Sequence, residues 1–161
     1  MIEIRDVLPS EFEVAGMVTV AGYHDFYREK LGSYADELRD IAARVEAARV
    51  LVAVDDGEVL GTVTYVGDEG SAFAQSQRSD EAGIRMLSVS PERQRRGVGR
   101  ALSSACIELA RREGKRAVVL HADEIMAASQ QLYESLGFVR DPSRDFHPDG
   151  WTELWAYVLV L

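Results

Sequence analysis

Two spacings of hydrophobic residues alternate along the chain, one typical of strands and the other of helices. Residues 2–7, IEIRDV, alternate apolar and polar side chains as a half-buried strand does. Ser10 and Glu13 have the spacing of a capping box, which predicts the start of a first helix. Residues 34–48 repeat apolar side chains at helical spacing and predict a second helix. The apolar faces predicted for these helices are Val14, Met17, Val18 and Ala21 in the first and Leu38, Ile41, Ala42 and Val45 in the second.

The middle of the chain has the residues of a β-sheet. Residues 50–66 form two β-rich runs on either side of Asp56 and Gly57, a pair that favours a tight hairpin turn. Residues 67–80 are rich in Gly, Ser and Gln and predict a loop. The apolar run IRMLSVS, residues 84–90, predicts a buried strand.

Helices and strands alternate in the last third of the chain. A helix with the apolar face Val98, Ala101, Leu102, Ala105 and Leu109 ends near Gly114, and a strand follows at residues 116–122. Residues 126–136 predict a last helix, ended by Gly137. Two strands at residues 138–140 and 152–161 enclose a polar loop. The order β-α-α-β-β-β-α-β-α-β-β predicts a mixed α/β sheet with helices on both faces.

Composition narrows the function classes. The chain has 161 residues, 47% of them hydrophobic, which suits one domain over residues 1–161. A net charge of -9 and a pI near 4.8 argue against nucleic-acid binding and favour a small-molecule or cationic partner. We expect no membrane segment and no signal peptide, because no apolar run approaches the required length. Cys106 is the single cysteine of the sequence, which leads us to expect a cytoplasmic protein.

One short segment concentrates positive charge and glycine. VSPERQRRGVGRAL, residues 89–102, joins a predicted buried strand to a predicted helix and contains four arginines. Gly97 and Gly99 fall at the first turn of that helix, where free N–H groups and the helix dipole favour an anion. The series of strand, basic turn, Gly-x-Gly and helix therefore predicts a pyrophosphate site, although a surface turn with solvated arginines remains an alternative. The chain lacks a P-loop motif, and Leu102 occupies the third glycine position of a dinucleotide-binding fingerprint.

These motifs resemble those of the GNAT superfamily of acyl-CoA-dependent N-acetyltransferases. Residues 94–99, QRRGVG, match the cofactor motif Gln/Arg-x-x-Gly-x-Gly/Ala in full, and MLSVSPE before them is similar to the end of the family's fourth strand. LYESLGF, residues 132–138, resembles the second cofactor segment. The resemblance implies one GNAT-like α/β domain with a central mixed, mostly antiparallel sheet of about seven strands that splays between the fourth and fifth.

The resemblance also implies acetyl-CoA as co-substrate. We expect no metal, because His24 and His147 do not have the spacing of metal ligands. The pyrophosphate would rest on the basic turn and the helix start, and the pantetheine arm would pair with the fourth strand as an added strand does. The implied cofactor-binding residues are Leu87, Ser88, Val89, Gln94, Arg95, Arg96, Gly97, Val98, Gly99, Arg100 and Tyr133.

Few residues are needed for acetyl transfer to an amine. The resemblance implies that Tyr133 protonates the leaving thiolate, with core packing as the alternative role. Several family members carry a glutamate where this chain has Gly83, so Glu81, two residues earlier on the same strand face, is the candidate base, with a solvent-exposed carboxylate at the strand end as the alternative. His121 and water remain alternative bases, and Cys106 is expected to be inert packing.

The acceptor is expected to be a primary amine of a small molecule or peptide, attacked directly in a ternary complex. The acidic residues Asp36, Glu37, Asp40, Asp145 and Asp149 hint at a cationic acceptor, although they are also explained as a solvated acidic surface. Two other functions stay open: a catalytically weak acyl-CoA-binding sensor or interaction module of the same fold, and a Rossmann-type nucleotide enzyme. A homodimer is possible.

Overall fold

A computed structural model describes the backbone of all 161 residues and every side chain except those of Phe26, Arg28 and Glu29. The strands are β1 (Glu3–Asp6), β2 (Arg49–Asp55), β3 (Glu58–Val66), β4 (Glu81–Val89), β5 (Ala117–Asp123), β6 (Val139–Arg140) and β7 (Leu154–Val160). The α-helices are α1 (Phe12–Tyr27), α2 (Tyr34–Arg39), α3 (Ile41–Ala47), α4 (Val98–Arg112) and α5 (Ala127–Ser135). Short 3-10 helices lie at Pro9–Glu11, Arg28–Leu31, Pro91–Arg93 and Pro142–Arg144.

The seven strands form one mixed sheet in the order β1-β2-β3-β4-β5-β7-β6. All neighbours pair antiparallel except β4 and β5, which run parallel. Their pairing begins at Glu81 and Ala117 and ends at Ile84 and Leu120. Beyond those residues β4 continues to Val89 and β5 to Asp123 without pairing to each other along the described backbone. The predicted seven-stranded sheet, splayed between its fourth and fifth strands, is confirmed.

Alternating residues of the strands pack against helices on the two faces of the sheet. In β2, Leu51 and Ala53 belong to a core that contains the buried side of α4. Val50 and Val52 point the other way, into a core with residues of α1 and α3. A period of two therefore buries both faces of one strand, which confirms the predicted helices on both faces.

A bulge in β4 changes the direction of its second half. Met86 has a φ of +54°, and the register of β4 against β3 shifts between Thr62 and Thr64. A non-glycine residue with positive φ is uncommon, and an extra residue in one strand bends it locally. The bulge lies just beyond Ile84, where pairing with β5 ends, so both irregularities open the sheet at the same level.

The predicted apolar face of α1 is wrong. Val14 and Met17 are 42% and 58% exposed, whereas Ala15 and Thr19 are fully buried. The reason is that α1 lies very close to its neighbours: a Cβ added at Gly22 would lie 2.0 Å from the Ser88 side-chain oxygen. Small residues permit this approach, so the buried face of α1 is the small one rather than the large apolar one.

Two predicted helix boundaries also differ. The helix predicted over residues 34–48 is interrupted at Asp40, whose side chain instead accepts the Ala43 N–H (3.1 Å) and caps α3. The start before α1 is capped by Glu11, which accepts the Leu8 N–H (2.9 Å), and not by the predicted box of Ser10 and Glu13. In both cases an acidic side chain within reach of a free N–H determines the start. Among the residues described, none of the helices is long and apolar enough to cross a membrane.

Candidate active site

The N-terminus of α4 presents free backbone donors to solvent. Gly97, the N-cap residue, has a φ of +78° and offers no side chain to cap the helix. The first bond after the turn joins the Ala101 N–H to the Gly97 carbonyl (2.9 Å). The four N–H groups of residues 97–100 therefore precede the ladder of α4, and the helix dipole makes them a site for an anion.

The four arginines of the turn have different surroundings. Arg93 pairs with Glu58 (2.6 Å), and Arg100 donates to the Ser135 hydroxyl, which ties the start of α4 to the end of α5. Arg95 and Arg96 are exposed and form no ion pair with any residue whose side chain is described. Of the three predicted arginine ligands, Arg95 and Arg96 are thus free to bind a phosphate, whereas Arg100, like Arg93, is held by a neighbouring side chain.

The predicted cofactor residues Ser88, Val98 and Gly99 can contribute only through their backbone. Ser88 is buried and donates its hydroxyl to the Thr19 carbonyl (2.8 Å), while Val98 packs in the core. A Cβ added at Gly99 would meet the side chain of Leu132 at 3.3 Å and those of Val89 and Leu87 at 3.8 and 3.9 Å. Gly99 therefore faces the apolar groove between α4 and β4 rather than open solvent. Gln94 is half-buried at the turn.

A cavity of about 420 Å³ occupies the opening between β4 and β5. Its walls come from residues 84–87 of β4, residues 121–123 of β5, the first turns of α5, the end of α1 and the loop before β7. Leu87 lines this cavity and also approaches the position of Gly99, so it connects the cavity to the start of α4. Ligand sites in proteins commonly have volumes of roughly 300–1,000 Å³, which makes this a site for a small molecule or a chain terminus.

Tyr133 of α5 lines the cavity and is 6% exposed. Its ring packs against Phe138 and Tyr157, with centroids 5.8 and 6.4 Å away. Burial, and the neighbouring Cys106 thiol, raise the pKa of Tyr133 above its ordinary value. The hydroxyl therefore keeps its proton at neutral pH and can donate it to a group inside the cavity. Core packing and the predicted proton-donor role are compatible here.

His121 of β5 has an unusual pattern of hydrogen bonds. Its Nε2 lies 3.0 Å from the Arg144 carbonyl, which can only accept, so Nε2 carries the proton. Nδ1 is buried without a hydrogen-bond partner among the described residues. Burial lowers the pKa of His121, so the ring is neutral with a free lone pair on Nδ1. His121 lines the cavity and has the state that a general base needs.

A comparison with known families decides the classification. The model of the Acetyltransferase (GNAT) family matches residues 12–138. The chain belongs to this family. Membership confirms the resemblance inferred from residues 94–99 and 132–138.

Two curated relatives are named for different activities. Mycothiol acetyltransferase of Renibacterium salmoninarum is 26% identical over 141 residues, which are 86% of this chain and 41% of that protein. N-acetylaspartate synthetase of Danio rerio is 30% identical over 135 residues, 78% of this chain and 45% of that protein. The chain spans less than half the length of these two relatives.

A solved structure shares the whole fold. The PaiA N-acetyltransferase of Thermoplasma acidophilum, in complex with coenzyme A, superposes with a TM-score of 0.77 at 16% identity. The match covers 97% of this chain and 98% of that one. This GNAT chain therefore has the family fold over almost its entire length.

Glu81, the base predicted for this GNAT chain, lies outside the cavity. It is 1% exposed at the start of β4, where its carboxylate accepts two bonds from Arg144 (2.8 and 3.0 Å) and the Arg78 N–H (2.9 Å). Burial alone would raise the pKa of Glu81, but the Arg144 bonds and the Arg78 N–H outweigh it and lower that pKa. This placement argues against a base role and gives Glu81 a structural position. Through Arg144 it also holds the carbonyl that orients His121.

Gly83 occupies the position where several GNAT members carry a glutamate. A Cβ added at Gly83 would lie 2.5 Å from the Gln77 side-chain oxygen, so Gln77 fills the space of a side chain. The Gln77 amide donates to the Val66 and Glu81 carbonyls (3.0 and 3.2 Å) and closes the loop over β4. The packing of Gln77 against β4 therefore leaves no space for a glutamate side chain at position 83.

Sequence reasoning missed the aromatic wall and the carboxylate behind it. Tyr23, Tyr27, Tyr34 and Trp151 contact one another with centroids 4.8–6.1 Å apart and line the cavity. Buried Asp123, at the end of β5, accepts the Tyr27 and Thr152 hydroxyls and the Ile125 N–H (3.0 Å). The spacing of Tyr23 and Tyr27, one helical turn apart, was the signal available for part of this wall.

Proposed function

We propose that this chain is an N-acetyltransferase that transfers the acetyl group of acetyl-CoA directly to a primary amine. The observation that carries the proposal is one continuous path. It runs from the uncapped, arginine-flanked start of α4, along the β4 edge that β5 leaves unpaired, into a cavity that contains Tyr133 and His121.

The residues present fit acetyl-CoA. The free N–H groups of residues 97–100 and the side chains of Arg95 and Arg96 would hold its pyrophosphate. The unpaired backbone of residues 87–89 would hold the pantetheine arm, as an added strand is held. When bound, acetyl-CoA supplies an acetyl thioester at the inner end of this path.

The chain's own residues then move two protons. His121 Nδ1 takes a proton from the acceptor amine, whose nitrogen forms the bond to the acetyl carbon. Tyr133 gives its hydroxyl proton to the sulfur as the carbon–sulfur bond breaks. The products are the acetylated amine and a free thiol, and proton exchange with water resets both side chains. With the pKa of Tyr133 raised and that of His121 lowered, the phenol is protonated and the ring neutral at pH 7, which are the starting states of a proton donor and a proton acceptor; the same shifts make the phenol a weaker acid and the ring a weaker base than the free side chains.

The phosphate site is tested by removing two positive charges just before the start of α4 and, as a control, two at its other end. Replacing Arg95 and Arg96 by glutamine should weaken coenzyme A binding roughly tenfold or more, because two charge-assisted contacts are lost. The matched control replaces Arg111 and Arg112, exposed at the other end of α4, and should leave the affinity within twofold. Calorimetry and ligand-induced melting shifts measure both. Equal affinities in the two double variants would refute the assigned site.

Thiol release across a panel of amines tests turnover. Coenzyme A binding without thiol release from any amine would instead support the acyl-CoA-binding module, the alternative that shares this fold. The two curated relatives are named for different activities, so the acceptor class of this chain is argued from its own cavity.

A further inference from the structure

Arg85 places a positive charge in the wall of the cavity without a partner for it. The side chain is half-buried and lines the cavity, where it donates to the Phe73 carbonyl at 3.3 Å and interacts with the uncharged Tyr34 hydroxyl. No carboxylate among the described side chains lies within ion-pair distance of it. A guanidinium removed from water without an anion is costly unless a ligand completes the site.

A second arginine lies beneath the same wall. Arg44 is 1% exposed and donates to the Leu38 carbonyl (2.7 Å) and towards the sulfur of Met86, a residue of the cavity wall. It too forms no ion pair with a described carboxylate, and its Nε is buried without a partner. The chain has a net charge of -9, so two arginines without an ion pair to a described carboxylate at one wall of the cavity are unusual for this protein.

The other titratable groups of the cavity do not supply the missing charge. Burial raises the pKa of Tyr23 and of Tyr34, so both phenols are neutral, and His121 is neutral because burial lowers its pKa. The Asp123 carboxylate accepts hydrogen bonds from three uncharged donors, and among the described side chains it forms no ion pair with Arg85. Asp149, the other lining carboxylate, is exposed at the rim.

The acidic residues that hinted at a cationic acceptor are mostly committed elsewhere. Asp145 pairs with Arg140 (2.7 Å), Asp40 caps α3, and Asp36 lies 3.7 Å from Arg39 on the surface. Of the five residues named for that hint, only Asp149 lines the cavity. The Arg85 guanidinium, which has no ion pair among the described side chains, therefore favours an anionic group on the part of the acceptor that lies beside it.

From this geometry we infer that the acceptor is an amine of amino-acid size that carries a carboxylate, bound by the Arg85 guanidinium, and an apolar substituent, packed on the aromatic wall of Tyr23, Tyr27, Tyr34 and Trp151. A guanidinium and a carboxylate match each other as a planar, two-bond pair. The inference rests on the proposed acetyl transfer and names its acceptor class.

Free amino acids and their amides test the carboxylate at a constant side chain. L-phenylalanine, L-methionine and L-leucine are each compared with the corresponding amide in the thiol-release assay at saturating acetyl-CoA. We expect kcat/KM to be at least roughly tenfold higher for the acids. In Arg85→Gln the acids should fall to the level of the amides, while the amides change less than twofold. Arg85→Lys should keep part of the preference, and Arg112→Gln, an exposed arginine on α4, should keep all of it.

A binding measurement separates this inference from the proposed function. Melting shifts are recorded with coenzyme A plus each acid or amide, which needs no turnover. A shift by the acids in the wild type that Arg85→Gln loses supports the inference even where no thiol is released, and in that case only the proposed turnover fails. Amides that bind and react as well as the acids, or an acid preference that survives in a folded Arg85→Gln, overturn the carboxylate site. Absence of any shift by the acids overturns it as well.

Discussion

Replacement of Glu81 by glutamine separates structural and catalytic roles for this carboxylate. The change keeps the shape of the side chain and removes the charge that Arg144 contacts at 2.8 and 3.0 Å. Arg144 is itself only 9% exposed, so it is left partly buried without its anion. Removing one partner of a buried pair costs about 3–5 kcal/mol, and the glutamine oxygen can still accept one bond, which favours the lower end of that range.

A loss of about 3 kcal/mol should be visible in the melting temperature. For a chain of 161 residues the unfolding entropy is about 0.34 kcal/mol per kelvin, so Tm should fall by about 6–12 °C at pH 7. Glu58→Gln is the matched control, because its pair with Arg93 has a similar distance, 2.6 Å, and Glu58 is 56% exposed. That variant should change stability by less than about 0.5 kcal/mol.

The pH dependence follows from the direction of the pKa shift. The folded state lowers the pKa of Glu81, so its contribution is fully present above the unfolded pKa, about 4.3, and is lost as the pH falls through the lower folded value. The difference in Tm between wild type and Glu81→Gln should therefore be constant near neutrality and narrow below about pH 4. Calorimetric melting at several pH values measures it.

Turnover in the same variant distinguishes the two roles. Measured well below its Tm, Glu81→Gln should lose less than tenfold in kcat, through the carbonyl of Arg144 that orients His121. Loss of a general base would cost a hundredfold or more. An unchanged Tm combined with a loss of that size would refute the structural role and restore Glu81 as the base.

Four further predictions concern the transfer reaction. Tyr133→Phe should lower kcat about a hundredfold and leave the coenzyme A affinity within threefold, since it removes only a proton donor; an unchanged kcat with rate-limiting chemistry would leave Tyr133 a packing role. Because direct attack requires the neutral amine, kcat/KM should rise with pH until the acceptor is deprotonated; burial lowers the pKa of His121 from 6.5, so the additional acid limb due to this ring should lie below that pH and be absent in His121→Asn. Gly99→Glu should abolish coenzyme A binding in melting-shift assays and also lower Tm by a few degrees, because its Cβ meets Leu132 at 3.3 Å. Kinetics should be sequential, and mass spectrometry after acetyl-CoA alone should show no acetyl adduct; burial raises the pKa of the Cys106 thiol to about 12, and a transient adduct there would contradict direct transfer.

Sequence patterns predicted most of the sheet because strand and turn signals are local. The hairpin at Asp56 and Gly57, the strand over residues 84–90 and the last two helices all follow from spacing within about ten residues. The face of α1 could not be predicted in this way. It depends on the distance to Ser88, which only the tertiary structure defines, and there the small Gly22 is preferred over the larger Met17.

In the candidate site too, features that depend on a continuous stretch of sequence were predicted, and features that depend on distant residues were not. The start of α4 was predicted from one continuous motif, and the structure places its backbone donors at the helix end. The burial of Glu81 against Arg144, which argues against the predicted base role, could not be foreseen because Arg144 lies 63 residues away in sequence. The aromatic wall joins residues of α1 to Trp151, and Arg85 is distinguished only by the charges that it lacks nearby. The spacing of hydrophobic residues within one element does not show which distant charged residues form an ion pair and which form none.

The short parallel contact between β4 and β5 has a mechanical consequence. Only four residue pairs, from Glu81 with Ala117 to Ile84 with Leu120, join one half of the sheet to the other, whereas β5 and β7 share seven. The two halves of the sheet are therefore joined at only one end of β4 and β5. Separating the unpaired ends of these two strands breaks fewer hydrogen bonds than separating β5 from β7 would. Amide hydrogens along residues 86–89 should therefore exchange faster than those of β5 in the empty protein. A ligand bound between the unpaired ends of β4 and β5 should join the two halves of the sheet and slow this exchange.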